Sequence, residues 1–321
     1  MDTRGFAPVV ALLCAMLGAA PALAADTSHF ETAPGVSIYY EKYGSGPQAV
    51  LIPGRLFMPE MRQLERPGRT LVLYDMRNRG KSGRVEDVTQ LNVMTDVADV
   101  EALRRHFGFE QVSLVGYSYL GLMVALYARD HPDRVARLVQ IGPVPRKFAT
   151  AFPADQTADI ATLSAEGMAA AKAWRAMRDS ATASTNPEEL CRALGSFMGY
   201  LLVGNPANHT KVPDACQYEN EHYANQGRHL EAHFGDLQKR DFEKEPFTKV
   251  RVPVLTIHGT LDRNAPYGSG LEWATTFPDG RLITVPGGAH QVWLDDPALV
   301  ADVDVFLGGK WPQRAQAFGR E

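Results

Sequence analysis

A serine, an aspartate and a histidine occupy positions where they could together cleave an acyl bond. Ser118 lies in the segment Gly116–Gly121 (GYSYLG), between an apolar run and a helical pattern. A serine in such a strand-to-helix turn is pushed outward, and the N–H of the next residue, Tyr119, faces the oxyanion that develops during acyl transfer. We predict that Ser118 is a nucleophile; the structural alternative is a serine that caps the helix.

Candidates for the base and its orienting acid follow later strands. Asp262 comes just after one strand-like run, and His290 comes just after the next. Because the carboxyl ends of parallel strands meet at one edge of a sheet, residues in these positions can converge on Ser118. The order serine, aspartate, histidine predicts His290 as general base and Asp262 as its orienting acid. Asp295 and Asp296 are rival acids, but they follow the histidine.

The composition is that of an ordinary globular protein with a sizeable core. The 321 residues are 45% hydrophobic and 22% charged, which is close to the average for soluble domains. The net charge is −4, with no long run of Lys and Arg, which argues against a nucleic-acid partner bound through its phosphates. Three further histidines, His222, His229 and His233, form no coherent metal-ligand pattern. His229 and His233 stand four apart on a predicted helix, and we expect them at its surface. The predicted chemistry needs neither metal nor cofactor.

The N-terminus has the pattern of an export signal. Arg4 precedes an apolar stretch, Val9–Leu17, and Ala22–Ala24 resembles a small-x-small cleavage site. The apolar stretch is too short to span a bilayer, so we expect residues 1–24 to be removed; the alternative is a retained anchor. The mature chain would begin near Ala25, in the periplasm or outside the cell, without stable membrane association. Cys191 and Cys216 would remain, either as a disulfide or as two buried thiols.

Strand and helix patterns alternate along most of the chain. Apolar or β-rich runs bounded by Gly and Pro predict strands at 36–43, 49–52, 70–74, 112–115, 138–141, 252–258 and 281–285. Helical patterns at 94–107, after Ser118 as far as His131, and at 297–307 complete a doubly wound α/β arrangement. Residues 146–247 show no buried strand and have helical signals near 162–179, 187–203 and 218–237. We therefore predict a core of residues 25–145 and 248–321, with 146–247 as a helical cap over Ser118.

Over nearly all of its mature length the chain resembles α/β hydrolases. The resemblance implies a mostly parallel central sheet with helices on both faces and an inserted cap. Tyr74–Ser82 is similar to that family's Asp-x-Arg-Gly-x-Gly-x-Ser loop, with Asn78 in place of a glycine, and this implies a structural role for Ser82. Leu120 replaces the second glycine of the usual Gly-x-Ser-x-Gly. Ile52–Arg55 stands at the position of the family's oxyanion loop, which implies the N–H of Arg55, or of Leu56 if the loop is shifted, as second donor.

A narrower resemblance is to proline iminopeptidases. The segment Tyr218–Gly227 (YENEHYANQG) is similar to a cap segment in which a glutamate of that branch receives the substrate's free amino group. The resemblance implies this role for Glu219 or Glu221; the alternative is that both lie on a solvated helix face. The expected function is an exported aminopeptidase acting on small molecules or short peptides through an acyl-serine. The alternatives are a carboxylesterase or lactonase and a non-catalytic binding protein, which the presence of all three triad residues disfavours.

Overall fold

The fold is built on one twisted sheet. The computed structural model describes residues 25–180 and 185–318, so the predicted signal segment lies outside the described residues. The eight strands are β1 (Asp26–Ala33), β2 (Val36–Tyr43), β3 (Gln48–Pro53), β4 (Arg69–Tyr74), β5 (Val112–Tyr117), β6 (Val135–Ile141), β7 (Val254–Gly259) and β8 (Gly280–Val285). Their order is β1-β2-β4-β3-β5-β6-β7-β8. β1 and β2 run antiparallel to their neighbours, and the strands from β4 to β8 pair in parallel.

Helices cover both faces of this sheet. On one face lie α1 (Val93–His106), α2 (Tyr119–Asp130) and a helix (Tyr267–Thr276) that follows β7. On the other lie a short helix (Val292–Asp295) and the final helix (Leu299–Leu307). All residues of β4, β5 and β7 are buried, as expected for parallel strands covered on both sides. The predicted α/β-hydrolase architecture is confirmed.

The core elements that the sequence patterns do not indicate include β1 and the helix Tyr267–Thr276. β1 is a mostly exposed edge strand with the polar sequence DTSHFETA, so it carries no apolar run that would identify it. The segment is a strand because it pairs with β2, in a register that runs from Asp26–Lys42 to Ala33–Val36. The helix Tyr267–Thr276 was also missed. Its buried residues include Gly268, Ser269 and Gly270, which have weak helix propensity.

Between β6 and β7 the described chain is helical. It contains α3 (Ala165–Arg178), α4 (Pro187–Leu201) and α5 (Tyr223–Gln238), and short 3₁₀ turns connect α4 to α5. With the later helices Tyr267–Thr276, Val292–Asp295 and Leu299–Leu307 as α6, α7 and α8, these complete the numbering. The inserted helices have a small apolar centre of their own, formed by Leu163, Ala171, Phe197 and Leu201. The cap helix predicted near 218–237 begins at Tyr223, later than expected, because Glu219–Glu221 forms a separate 3₁₀ turn.

A disulfide strengthens the inserted region. Cys191 on α4 is bonded to Cys216 in the segment before α5, 25 residues later. The bond ties α4 to the segment that leads into Glu219–Glu221. It therefore limits the freedom of the part of the insertion that contacts the loop after β4, called the β4 loop below. Of the two states that the sequence allows, a disulfide and two buried thiols, the structure has the disulfide.

Candidate active site

Ser118 lies in a strained turn between β5 and α2. Its φ of 57° is in the left-handed region, where non-glycine residues are uncommon and usually have a functional reason. The Ser118 N–H donates to the Ile141 carbonyl at 2.8 Å, which anchors the turn to β6. A Cβ at Gly116 would lie 2.3 Å from the Leu120 carbonyl oxygen, so the turn requires glycine there. The strain presents a partly exposed serine at the carboxyl edge of the sheet.

His290 and Asp262 form a buried pair at the same edge. His290 Nδ1 lies 2.6 Å from Asp262 Oδ2, and both residues are almost fully buried. The second oxygen, Oδ1, accepts the backbone N–H groups of Asn264 at 2.9 Å and Ala265 at 2.8 Å. Burial by itself would raise the pKa of Asp262, but the neighbouring His290 and His258 hold that pKa below its ordinary value. Asp262 is therefore an ionised acceptor that fixes the orientation of His290.

Gly142 allows this pair to approach Ser118. It directly follows Ile141 and has a φ of 52°. A Cβ there would lie 3.1 Å from His290 Nδ1 and 3.2 Å from Asp262 Oδ2. The ring of Tyr117, the residue before the serine, lies 4.6 Å from the His290 ring. The structure thus brings the predicted serine, histidine and aspartate to one place.

The free nitrogen of the histidine is ready to accept a proton. His290 Nε2 is buried and has no hydrogen-bond partner among the described residues. Nδ1 faces the Asp262 carboxylate, which only accepts, so Nδ1 carries the hydrogen and Nε2 carries the lone pair. No hydrogen bond joins Ser118 to His290 within the described chain, and such bonds are commonly loose in ligand-free enzymes and tighten around substrate.

The predicted oxyanion donors have different environments. Tyr119 begins α2, and its N–H has no acceptor among residues 25–180 and 185–318, as is usual in the first turn of a helix. The N–H of Arg55 donates instead to the Tyr74 carbonyl at 3.0 Å. The N–H of Leu56 donates to Asp75 Oδ1 at 3.2 Å. Of the expected donors, only Tyr119 is free to meet an oxyanion, and the expectation for Arg55 needs correction.

The packing of Leu120 explains part of why the Arg55 N–H is not available to an oxyanion. Its Cδ1 lies where a side chain at Gly54 would be, 2.5 Å from an added Cβ, and Gly54 has a φ of 76°. Leu120 therefore packs directly on the loop after β3, in the space that the usual glycine leaves open. A side-chain contact also fixes the loop after β3, since the fully buried Asp75 accepts a hydrogen bond from Arg55 Nη2 at 2.7 Å.

The loop after β4 is structural, as the resemblance implied. Ser82 Oγ donates to the Asp75 carbonyl at 2.7 Å and accepts the Tyr39 N–H at 2.9 Å, so its hydroxyl is occupied. Asn78 has a φ of 62°, which explains why a glycine is usual there and why asparagine, which tolerates this conformation, is acceptable. Its Oδ1 accepts the Val85 N–H at 3.0 Å.

The two cap glutamates lie in opposite environments. Glu221 is fully buried, and its carboxylate accepts from Arg79 Nε at 2.8 Å, from Arg79 Nη2 and from the Gly80 N–H at 2.9 Å. Its charge is therefore neutralised by a guanidinium. Glu219 is exposed. The interpretation of Glu221 as a receptor for a substrate amine needs correction, because Arg79 of the β4 loop already occupies that carboxylate.

His229 and His233 are not at the surface as expected. Both lie on the buried face of α5 with 3% and 4% of their surface exposed. His233 Nε2 lies 2.8 Å from Asp96 Oδ2, which also accepts the Tyr119 hydroxyl at 2.6 Å. Burial and the nearby Arg79 lower the pKa of His229 well below its ordinary value. The prediction failed because α5 packs its histidine face against α1, a contact that helix periodicity alone does not reveal.

Asp295, rejected as a rival acid, has a supporting role. Its carboxylate accepts the Ala289 N–H at 3.0 Å and the Gly204 N–H at 2.7 Å. The Gln291 N–H donates to the Leu202 carbonyl at 2.8 Å. The chain after His290 is thus tied to the inserted region, and Asp295 also holds Ala289, the residue before His290. The contacts with Gly204 and Leu202 join residues about 90 positions apart, and the sequence carries no local signal for them.

In residues 25–180 and 185–318, no group of at least three His, Cys, Asp or Glu side chains is arranged to hold a metal ion. Within the same ranges, no helix combines the length and the apolar character needed to span a membrane.

The fold and the site together define a hydrolytic enzyme of the serine type. Residues 52–297 match the model of the alpha/beta hydrolase fold family. This is more than half of the chain, and the chain therefore belongs to the α/β hydrolase family.

Curated relatives place it near the proline iminopeptidase branch. The chain is 24% identical over 317 residues to a proline iminopeptidase of Xylella fastidiosa, covering 89% of this chain and 95% of the relative. It is also 24% identical over 268 residues to the serine hydrolase BPHL of Mus musculus, covering 81% and 79%. An esterase from Exiguobacterium antarcticum has a similar structure, with a TM-score of 0.66, 16% identity and coverage of 88% and 99%.

Proposed function

We propose that this enzyme hydrolyses small carboxylic esters through an acyl intermediate on Ser118. The observation that carries the proposal is the strained Ser118 turn beside the buried His290–Asp262 pair. A partly exposed serine, a base with a free nitrogen and an ionised acid behind it are the parts that nucleophilic acyl transfer needs.

The reaction proceeds in two steps. His290 Nε2 takes the Ser118 proton while Oγ attacks the carbonyl carbon, and the Tyr119 N–H at the start of α2 stabilises the oxyanion. His290 then returns the proton to the departing alkoxide, which leaves as an alcohol. In the second step His290 takes a proton from water and the hydroxide attacks the acyl-serine. His290 then returns the proton to Ser118 Oγ as the bond to the acyl group breaks and the acid leaves.

The Arg79–Glu221 pair favours a neutral substrate. A substrate ammonium needs an unneutralised carboxylate, and the buried Glu221 is already bound by the Arg79 guanidinium. An ester without a free amine does not need such a group. An ester therefore fits the charges of this cap better than a peptide with a free N-terminus.

A second candidate is an aminopeptidase. It is supported by the proline iminopeptidases among the curated relatives and by the similar cap segment that contains the exposed Glu219. In this candidate Glu219 alone pairs with the substrate amine.

A substrate and labelling experiment tests the principal proposal. The wild type should hydrolyse short p-nitrophenyl esters faster than alanyl or prolyl p-nitroanilide, and an organophosphonate should label Ser118 alone. Ser118→Ala should lower kcat by roughly 10⁴-fold or more and abolish labelling. Ser82→Ala is the control, because it removes an occupied serine hydroxyl of the β4 loop and should retain labelling. Labelling at another residue, or full activity of Ser118→Ala, would overturn the mechanism.

Glu219→Gln separates the two candidates. A charge-assisted bond to a substrate ammonium contributes about 1.5–3 kcal/mol, or roughly ten- to a hundred-fold in kcat/KM. For an aminopeptidase, the variant should lose this factor on aminoacyl p-nitroanilides and nothing on p-nitrophenyl esters. For the esterase, both substrates should be unaffected.

We also propose that the enzyme works outside the cytoplasm. The support is the export pattern of residues 1–24 together with the Cys191–Cys216 disulfide, which is a bond typical of oxidising compartments. Intact-mass analysis of material exported by the native host should give a chain beginning near Ala25 with no free thiol after denaturation. A chain that keeps residues 1–24 would contradict the proposal.

A further inference from the structure

A second histidine contacts the acid of the triad. His258 on β7 is fully buried, four residues before Asp262. Its Nε2 lies 3.0 Å from the Ala265 carbonyl oxygen and 3.1 Å from Asp262 Oδ2. A carbonyl oxygen only accepts, so Nε2 carries the hydrogen. The positive end of this N–H dipole therefore faces both the carbonyl and the carboxylate.

The two histidines share one carboxylate oxygen. Asp262 Oδ2 accepts the His290 Nδ1–H at 2.6 Å and faces His258 Nε2 at 3.1 Å. The other oxygen is held by the N–H groups of Asn264 and Ala265. The orientation of Asp262 is thus maintained by backbone groups. What His258 adds is a donor at the oxygen on which His290 depends.

The surroundings of His258 fix its ring and offer hydrogen-bond acceptors only to Nε2. Its Nδ1 is buried without a partner among the described residues. Gly270 of α6 packs against the ring so closely that a Cβ there would lie 2.6 Å from Nδ1. The ring is therefore held in one orientation, with only Nε2 directed at hydrogen-bond acceptors.

We propose that His258 is a positioning residue that shares Asp262 Oδ2 with His290 and restrains the basicity of that carboxylate. The inference rests on the proposed acyl-transfer function. A donor facing a carboxylate stabilises its charged form and weakens it as an acceptor for another N–H. Without His258, Asp262 stabilises protonated His290 more strongly. As the pH falls, His290 then becomes protonated, and no longer acts as a base, at a higher pH than in the wild type. His258 therefore extends activity toward acid.

Other charged groups around Asp262 do not account for such an effect. Arg263, the next residue, directs its guanidinium away to Thr162 and Val203. Burial raises the pKa of Tyr117 on β5 well above its ordinary value. Tyr267 of α6 hydrogen-bonds to Thr284, and the Asp295 carboxylate of α7 is occupied by backbone N–H groups. Only the two histidines are of the residue type that changes charge between about pH 5 and 8.

The pH profile of kcat/KM on a neutral p-nitrophenyl ester tests the inference. In His258→Phe, which fills the space without a donor, the acidic limb should move upward by about 0.5–1 pH unit. In His258→Gln, whose amide N–H₂ reaches the position of Nε2, the limb should stay near that of the wild type. Tyr267→Phe is the matched control, because it alters the ring packed beside His258, 6.0 Å away, without touching Asp262. An unmoved limb in folded His258→Phe would overturn the inference.

A second measurement does not depend on turnover. In the Ser118→Ala background, the low-field ¹H resonance of the His290–Asp262 hydrogen bond should move further downfield in His258→Phe and not in His258→Gln. If His258→Phe does not fold, His258→Leu takes its place. An unmoved resonance, or loss of the resonance in every His258 variant, would mean that the residue only supports the fold. If the wild type neither hydrolyses the ester nor becomes labelled at Ser118, the proposed function fails. The resonance is measured without turnover, so it distinguishes that failure from a failure of the inference about His258.

Discussion

The sheet edge and the inserted cap each bury one carboxylate, and they satisfy it in different ways. At the sheet edge, Asp262 is surrounded by backbone N–H groups and two imidazoles. In the cap, Glu221 is bound by the permanently charged guanidinium of Arg79. An imidazole can take or release a proton near neutral pH, whereas a guanidinium cannot. The first arrangement suits proton transfer, and the second suits the attachment of one part of the fold to another.

The attachment continues on both sides of Glu221. Asn220 Nδ2 donates to the Gly80 and Ser82 carbonyls, and Asn225 Nδ2 donates to the Asn78 carbonyl. The β4 loop and the start of α5 are therefore bound as one unit. We expect substitutions at the sheet edge to affect rate and substitutions in the cap to affect stability, and the following variants test that division.

The largest expected effect is that of Asp262→Asn. The amide keeps the shape but favours the wrong tautomer of His290, so kcat should fall by roughly 10³- to 10⁴-fold. Steady-state kinetics on a p-nitrophenyl ester, with circular dichroism to verify folding, measures this. Asp295→Asn is the matched control, since it changes a nearby carboxylate that contacts only supporting groups. A loss below tenfold in Asp262→Asn would remove the acid from the mechanism.

Glu221→Gln should act on stability rather than rate. It leaves Arg79 buried without a counter-charge, which typically costs about 3–5 kcal/mol. Denaturant unfolding should show this loss, while kcat of the folded fraction on a neutral ester stays within a few-fold of the wild type. The double variant Arg79→Met/Glu221→Met should recover much of the stability, because no unpaired charge remains. A large loss of kcat with unchanged stability would place Glu221 in the reaction.

The Cys191–Cys216 disulfide gives a smaller effect of the same kind. Replacing both cysteines by serine removes a cross-link that closes a loop of 25 residues, and the free energy of unfolding should fall by about 3 kcal/mol. Thermal unfolding of the oxidised wild type and the double variant measures the difference. Activity at room temperature should persist, and an unchanged unfolding temperature would mean that packing alone maintains the cap.

The smallest expected effect is the response of the cap to pH. The folded state lowers the pKa of His229 through burial and the nearby Arg79, so it favours the neutral ring. The associated stability is present above the unfolded pKa of about 6.5 and is lost as the pH falls below it, by up to about 1.4 kcal/mol per pH unit. His229→Asn should flatten the decline of unfolding free energy between pH 7 and 5, relative to the exposed-site control His29→Asn. Parallel declines in both variants would contradict this.

The positions of Ser118, Asp262 and His290 could be predicted because each residue follows its own strand. A short apolar run marks each strand, and parallel pairing brings the carboxyl ends of β5, β7 and β8 to one edge. Ser118, Asp262 and His290 can therefore be located from local patterns and chain order alone. The polar edge strand Asp26–Ala33 could not, because nothing in its own residues distinguishes it from a loop.

The cap and the oxyanion loop depend on contacts between distant residues. Arg79 and Glu221 are 142 positions apart, and the pattern YENEHY says nothing about which carboxylate meets that arginine. The N–H of Arg55 is turned to the Tyr74 carbonyl in the tertiary structure, where Leu120 packs on Gly54. Local sequence thus determined the class of enzyme and the edge of the sheet at which Ser118, Asp262 and His290 lie. Only tertiary packing decided which glutamate is neutralised, which histidines are buried and which N–H is free, because burial and charge pairing arise between segments that the sequence keeps far apart.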